Sequence, residues 1–184
     1  APASWPPLLR DAYAAVLGRG AQSPFYEQAL YKHGWALFKQ GEHERALGSF
    51  LPLLDRRLGA DAAPPAVQAR LDGMGRAEHE LIDDTLRVTS ITLEYLGGAD
   101  AVGPALAGRR ERGWSFLVYR ALGDLYLEKQ RWRDAAGAYG AYVAAAPLAD
   151  PAPALQQAAI DAYTRGRFPS LVLAAKQEYV ERYG

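Results

Sequence analysis

The feature that most constrains this chain is a helix grammar that occurs twice. In residues 24–58 an amphipathic segment carries Leu30, Leu37 and Phe38, with the small Gly34 among them. Gln40-Gly41-Glu42 breaks it, and a second segment places Ala46, Leu47, Phe50, Leu53 and Leu54 at helical spacing. Residues 116–149 repeat the order. Tyr119, Leu122, Gly123 and Tyr126 mark a first helix, Lys129-Gln130-Arg131 a turn, and Trp132, Ala135, Tyr139 and Tyr142 a second, with Pro147 closing the unit. Two helices packed about 8–10 Å apart need a small residue where they cross. A large aromatic then fills the wedge beside that crossing. At the front of the first unit, Ser23 reads as an N-cap with Pro24 at the first helical position and Glu27 near the end of the first turn.

These paired segments resemble tetratricopeptide repeats, helix–turn–helix units with a period of about 34 residues. Gly34, Ala46 and Phe50 resemble the small–small–large signature of that family, and Gly123, Tyr126, Ala135, Tyr139 and Pro147 repeat it with its closing proline. Two departures stand out: Leu58 where the closing proline would fall, and His33 where a leucine is usual. The resemblance implies an all-α fold, a right-handed superhelical stack of antiparallel helix pairs. The wording of residues 23–35, Ser-Pro-Phe-Tyr-Glu-Gln-Ala-Leu-Tyr-Lys-His-Gly-Trp, is similar to repeat proteins of the Gram-negative cell envelope.

Spacing makes the array irregular. Gly34 and Gly123 stand 89 residues apart, which is not a multiple of the period. With Ser90 as the notch of an intervening unit, 33 residues separate it from Gly123 and 56 from Gly34. The surplus falls in 59–76, a stretch rich in breakers that reads as an insertion, partly helical around Ala66–Leu71. A degenerate unit then spans 77–115, with a long first helix (Ala77–Leu96) and a second weakened by Gly103 and Pro104. A closing pair occupies 150–184, with Ala159 as its notch, Gly166-Arg167 as its turn, and Leu171, Leu173, Ala174 and Tyr179 packing inward. Residues 6–17 read as the second helix of a preceding, truncated unit. One domain covers 1–184, and it reads as a piece of a longer protein.

Composition narrows the function classes. The 21 basic and 21 acidic residues cancel, which argues against nucleic acid and against a polybasic membrane patch. With no cysteine, disulfides, thiolate metal sites and cysteine nucleophiles are excluded. The absence of asparagine excludes N-glycosylation, and the excess of Arg over Lys suggests a GC-rich bacterial coding sequence. No apolar run is long enough to span a bilayer, so direct membrane insertion is not expected.

Motifs that could carry chemistry are weak. His79-Glu80 opens like a zinc-protease motif, but Asp83 stands where the second histidine belongs. The acidic cluster Glu78, Asp83 and Asp84 reads as a solvated helix face, with a metal enzyme as the rival. Gly73-Met-Gly75 lacks the third glycine of a dinucleotide loop and reads as a linker. The histidines His33, His43 and His79 share no spacing with a nucleophilic serine, and the run Arg109 to Arg112 reads as a solvated turn. The expectation is a protein that is not an enzyme and needs no metal or other cofactor.

In the family this chain resembles, the first helices of successive pairs line a concave groove that holds a peptide. The matching positions here are Tyr31, Trp35, Phe38 and Lys39, then Arg87, Ile91 and Glu94, then Arg120, Asp124 and Leu127, then Gln156, Ile160 and Tyr163. Trp35 suits an interface anchor, because an indole buries a large apolar area and keeps a polar edge; packing on the neighbouring unit would explain it equally. Arg120 and Asp124, four apart, could equally pair with each other. The basic-and-asparagine clamp of some relatives is not reproduced. The resemblance therefore implies a scaffold binding a protein or peptide, in a periplasmic or outer-membrane-associated protein or, alternatively, in the cytoplasm. The rival reading is a spacer segment of a longer solenoid that self-associates through exposed end helices.

Overall fold

The computed structural model describes residues 7–109 and 112–184, with side chains from Leu8 onward. Pro6, Arg110 and Glu111 of the sequence reading lie outside the described residues. Among the described residues there are ten α-helices, one π-helical turn and no strand. The helices are α1 (Pro7–Gly18), α2 (Tyr26–Lys39), α3 (His43–Leu54), α4 (Pro64–Gly73), α5 (Arg76–Tyr95), α6 (Ala99–Ala105), α7 (Ser115–Glu128), α8 (Trp132–Ala145), α9 (Ala152–Arg165) and α10 (Pro169–Tyr183). The π turn, Asp55–Gly59, continues α3. Neighbours in sequence are neighbours in space: α1 packs on α2, α2 on α3, α7 on α8, α8 on α9 and α9 on α10. The middle is bridged by α5, which packs on both α3 and α7.

The crossings are built as the small residues require. A Cβ at Gly34 would lie 2.5 Å from Cε1 of Phe50, and one at Gly123 would lie 2.2 Å from Cε1 of Tyr139. Each glycine is therefore a socket for the aromatic sixteen residues on. Phe50 and Tyr139 are among the most buried large side chains. Phe50 forms a small core with Leu37, Ala46 and Val88, whereas Tyr139 belongs to a larger core running from Leu47 to Ala162.

Helices α2, α5, α7 and α9 all end in one motif. The residue after the C-cap adopts a left-handed conformation: Gly41 (φ 78°), Gly97 (118°), Gln130 (57°) and Arg167 (59°). In each, the next N–H reaches back to the carbonyl five residues earlier: Glu42 to Leu37, Gly98 to Leu93, Arg131 to Tyr126, and Phe168 to Tyr163. This Schellman arrangement caps orphan carbonyls and turns the chain sharply into the next helix.

The motif also supplies a register, and it corrects the closing pair. Seven residues before the left-handed position stand Gly34, Ser90, Gly123 and, in the last unit, Ile160. Ala159 is buried but sits one residue off the notch position, so the last crossing has no small socket. In α10 the inward residue is Ala175, while Leu173 (62% exposed) and Ala174 face outward; Leu171 and Tyr179 are half-buried. Packed mainly on α9, α10 buries a narrower stripe than the paired helices.

Two local boundaries also differ from expectation. Ser23 and Pro24 do not start α2. The Ser23 carbonyl accepts the Tyr26 N–H at 3.0 Å, and Phe25 (φ −96°, ψ 2°) takes the third position of a type I turn that Pro24 suits at the second. The helix begins after that turn. The insertion, in turn, is more helical than its composition suggests, since α4 starts on Pro64, where a missing N–H costs nothing.

Candidate functional site

Counting back from the left-handed residues, the positions ten, six and three residues earlier fall on one face of the first helices. They are Tyr31, Trp35 and Phe38 on α2; Arg87, Ile91 and Glu94 on α5; and Arg120, Asp124 and Leu127 on α7. The face is continuous at the level of side chains. Tyr31 donates its hydroxyl to Asp84 of α5, and Arg87 binds the same carboxylate at 2.5 Å. Burial pushes the Tyr31 phenol up, and the Asp84 carboxylate beside it adds to the shift. Burial alone would raise Asp84, but the Tyr31 hydroxyl and the Arg87 guanidinium outweigh it and hold the carboxyl below its ordinary value.

Trp35 stands between two rings, edge-on to Tyr31 at 6.4 Å and to Phe38 at 5.6 Å, with Lys39 Nζ 6.0 Å above its own ring. It is half-buried and packs partly against the Phe50 core, so it combines a structural and an exposed edge. Tyr31, Lys32, Trp35 and Lys39 bound a cavity of about 200 Å³. Phe38 turns instead toward the helix ends, where it meets His43 (5.4 Å) and the exposed Tyr95 (6.1 Å).

Between α5 and α7 lies a cavity of about 350 Å³, lined among others by Arg87, Ser90, Leu117, Arg120 and Asp124. A third, of about 140 Å³ between α7 and α9, is lined by Phe116, Arg120, Asp124, Tyr139 and Leu155. Arg120 and Asp124 thus form the ridge between two hollows, yet they do not pair with each other. Asp124 accepts the Tyr139 hydroxyl at 2.6 Å, which anchors it to α8. The Arg120 guanidinium lies 5.6 Å from the Phe116 ring centroid and, among the described residues, has no carboxylate within ion-pair distance. Glu94 is spoken for, holding Lys129 and, at 2.7 Å, Arg131, which ties α5 to the α7–α8 turn. Leu127 is half-buried on the same side.

The last unit breaks the pattern. Gln156 is buried; it donates to the Ala175 carbonyl at 3.4 Å and accepts from Arg182 at 2.9 Å, so it belongs to the α9–α10 contact. Ile160 is buried too, and Tyr163 packs edge-on against Phe168 at 6.5 Å. In register, the exposed positions are Gln157 and Asp161, joined by a 2.9 Å hydrogen bond. Sequence reasoning misses them because it aligns the unit on Ala159 rather than on Arg167, whose left-handed backbone no glycine announces.

The acidic cluster at the start of α5 is drawn apart by separate partners: Glu78 to Arg57, Glu80 to Arg76, and His79 to Asp83 at 3.1 Å. Among the described residues no group of three or more such side chains could hold a metal ion. The structure does bring one histidine to a serine, His33 Nδ1 to Ser49 Oγ at 2.9 Å. Burial lowers the affinity of His33 for a proton, and Arg45 lowers it further. Ser49 is only 3% exposed, so its hydroxyl cannot meet a substrate carbonyl, and the pair serves as an α2–α3 tie. No described helix is long and apolar enough to cross a membrane. No protein-family model matches the chain, and no curated protein matches it either.

Proposed function

We propose that this chain is a non-catalytic protein-binding scaffold of the tetratricopeptide kind, a right-handed superhelical stack whose first helices α2, α5, α7 and α9 line a groove for a protein or peptide. One observation carries the reading. Two hollows meet at Arg120 and Asp124 of α7, one toward α5 and one toward α9, and a third lies at Tyr31 and Trp35, the matching positions of α2, with the carboxylate-free Arg120 on the ridge between the first two. The four repeated Schellman turns and the two glycine–aromatic crossings support the family assignment. On the wording of residues 23–35 we place the protein in the Gram-negative envelope, where it contributes binding rather than catalysis.

The test is a photo-crosslinking amino acid at position 128, which lines the hollow between α5 and α7, compared in the native host with one at position 72 on α4. Adducts at 128 are expected to carry a discrete partner that is lost in the Trp35→Ala, Arg120→Ala double variant, which stays helical and folded at the assay temperature although losing the half-buried indole lowers its melting point. Undiminished capture by the folded double variant refutes the groove assignment.

A second reading is a spacer segment of a longer solenoid, which the apolar outer faces of the end helices favour. Leu8 on α1 and Leu173 and Val180 on α10 are each more than three-fifths exposed. It predicts concentration-dependent association in light scattering, abolished by Leu173→Lys with Val180→Lys.

A further inference from the structure

A cleft of about 550 Å³ is lined by residues of α3 and α6 together with Leu96, the C-cap of α5, and Arg109, and none of Tyr31, Trp35, Arg87 or Arg120 lines it. It exists because one second helix is short. α3 and α8 have 12 and 14 residues, whereas α6 has 7, with Pro104 inside it. At a rise of about 1.5 Å per residue, α6 runs about 10 Å where α8 runs about 21 Å. Leu47, Leu51 and Leu96 are apolar lining; Gly48, Ala101 and Ala105 are small. Along α3, positions 44, 47, 48 and 51 form one helix ridge, the surface against which another helix packs. A Cβ at Gly48 would meet nothing within 4 Å, so a backbone can approach closely there.

The polar lining has one character. Glu44 and Asp100 are exposed, and neither forms an ion pair among the described residues, while Arg109 is held by Asp55 at 2.9 Å. Pro52 and Pro104 have no N–H, so the carbonyls of Gly48 and Asp100, two cleft residues, lack the donor that a helix supplies four residues on. The cleft therefore combines apolar area with unpaired negative charge and acceptor groups, and its one cation is occupied.

We propose that this cleft seats a single amphipathic helix of a partner protein, its apolar stripe flanked by Lys or Arg. The stripe covers the leucines, and the flanking cations meet Glu44, Asp100 and the two carbonyls. An acidic helix would set like charges against both carboxylates, and a small apolar molecule would leave every acceptor unmet. Cleft and groove are independent surfaces, since they share no residue named for either.

The test uses two labelled helical peptides of 14 residues, the length of α8. Both carry a Leu/Ala stripe, one flanked by Lys and the other by Glu, and fluorescence anisotropy with the full chain measures binding at physiological ionic strength. The Lys peptide is expected to bind saturably and the Glu peptide at least about tenfold more weakly, since like-charge juxtaposition opposes it. Gly48→Leu fills the cleft and should abolish binding without lowering the melting temperature, because leucine is the better helix former. Glu44→Lys with Asp100→Lys should invert the preference, and the Trp35→Ala, Arg120→Ala variant should bind as the parent does. Absence of saturable binding, equal binding of both peptides, binding that survives Gly48→Leu, or loss confined to the groove variant each overturns the proposal.

Discussion

Replacing Gly123 by alanine tests the packing logic on which the fold rests. The new methyl would sit 2.2 Å from Cε1 and 2.5 Å from Cζ of Tyr139, a ring that is 1% exposed and cannot swing into solvent. Relieving that overlap requires a shift of more than an ångström in a packed core, an overpacking cost of about 1–3 kcal/mol. The shift also strains the 2.6 Å hydrogen bond from the Tyr139 hydroxyl to Asp124. Against this stands a helix-propensity gain of about 1 kcal/mol for removing an interior glycine. With the strained hydrogen bond added the overlap wins, and urea unfolding should show a net loss of up to about 2 kcal/mol. In a Tyr139→Ala background the obstacle is gone, so the same methyl should stabilise by about 1 kcal/mol. The double-mutant cycle should therefore give a coupling of about 1–3 kcal/mol, with a change of sign between backgrounds. A coupling below about 0.5 kcal/mol, within the additivity expected of independent sites, would refute the socket reading of Gly123.

Gln130 and Arg167 occupy left-handed positions that Gly41 and Gly97 fill elsewhere, and both are exposed. Gln130→Gly and Arg167→Gly should each stabilise by about 0.5–1 kcal/mol in urea unfolding, the relief of left-handed strain less the extra freedom of the unfolded glycine. The Tyr139 phenol is held far above its ordinary 10.0, first by burial and then by the Asp124 carboxylate that accepts its hydrogen bond. The unfolded chain ionises this group near pH 10 while the folded chain keeps it protonated, so the unfolded state binds fewer protons and stability should fall as pH rises beyond that point. Tyr139→Phe should flatten this alkaline loss in chemical denaturation and remove one tyrosine from those that titrate only on unfolding; an unchanged slope would contradict the assignment.

The parts of the molecule legible in the sequence are those where side-chain type and backbone demand coincide. Gly34 with Phe50, and Gly123 with Tyr139, are recognisable because a socket needs a residue without a side chain and a ring to fill it. Gly41 marks its turn for the same reason. The closing pair reads one residue out of register because Arg167 adopts a conformation that side chains disfavour, so nothing local signals it. That offset sets Gln156 and Tyr163 in register with Arg120 and Leu127, whereas the left-handed Arg167 sets the exposed Gln157 and Asp161 in register with Arg120 and Asp124. Ser23-Pro24 misleads differently, since serine followed by proline serves a helix start and a β-turn equally well. Arg120 and Asp124 are legible as positions but not as a relationship. Their spacing suits an ion pair, and only the arrival of Tyr139 from α8 explains why Asp124 turns away.

The insertion and the short α6 are linked by what each buries. α6 offers the core Val102 and its C-cap Leu106, too little to join α3 to α7 and α8 by itself. The π turn supplies Leu58 and the inserted stretch Val67 and Leu71, which enter the same core as Trp114 at the head of α7. Polar ties lock that join. Asp55 of the π turn accepts the Trp114 indole N–H at 3.2 Å and pairs with Arg109 and Arg112, while Arg112 also reaches the Ala60 carbonyl at 2.8 Å. Gly113 lies so close to the loop that a Cβ there would stand 2.0 Å from the Ala62 carbonyl oxygen. A chain that had only lost half of one repeat would leave an apolar gap along its whole second layer. Here the π turn and the inserted helix close the part nearest Trp114, and what stays open is a bounded trough with acidic residues at its edge. The irregularity in spacing is thus compensated at one end and left open at the other, and the open end is the cleft beside Leu47, Leu51 and Leu96 proposed to seat a partner helix.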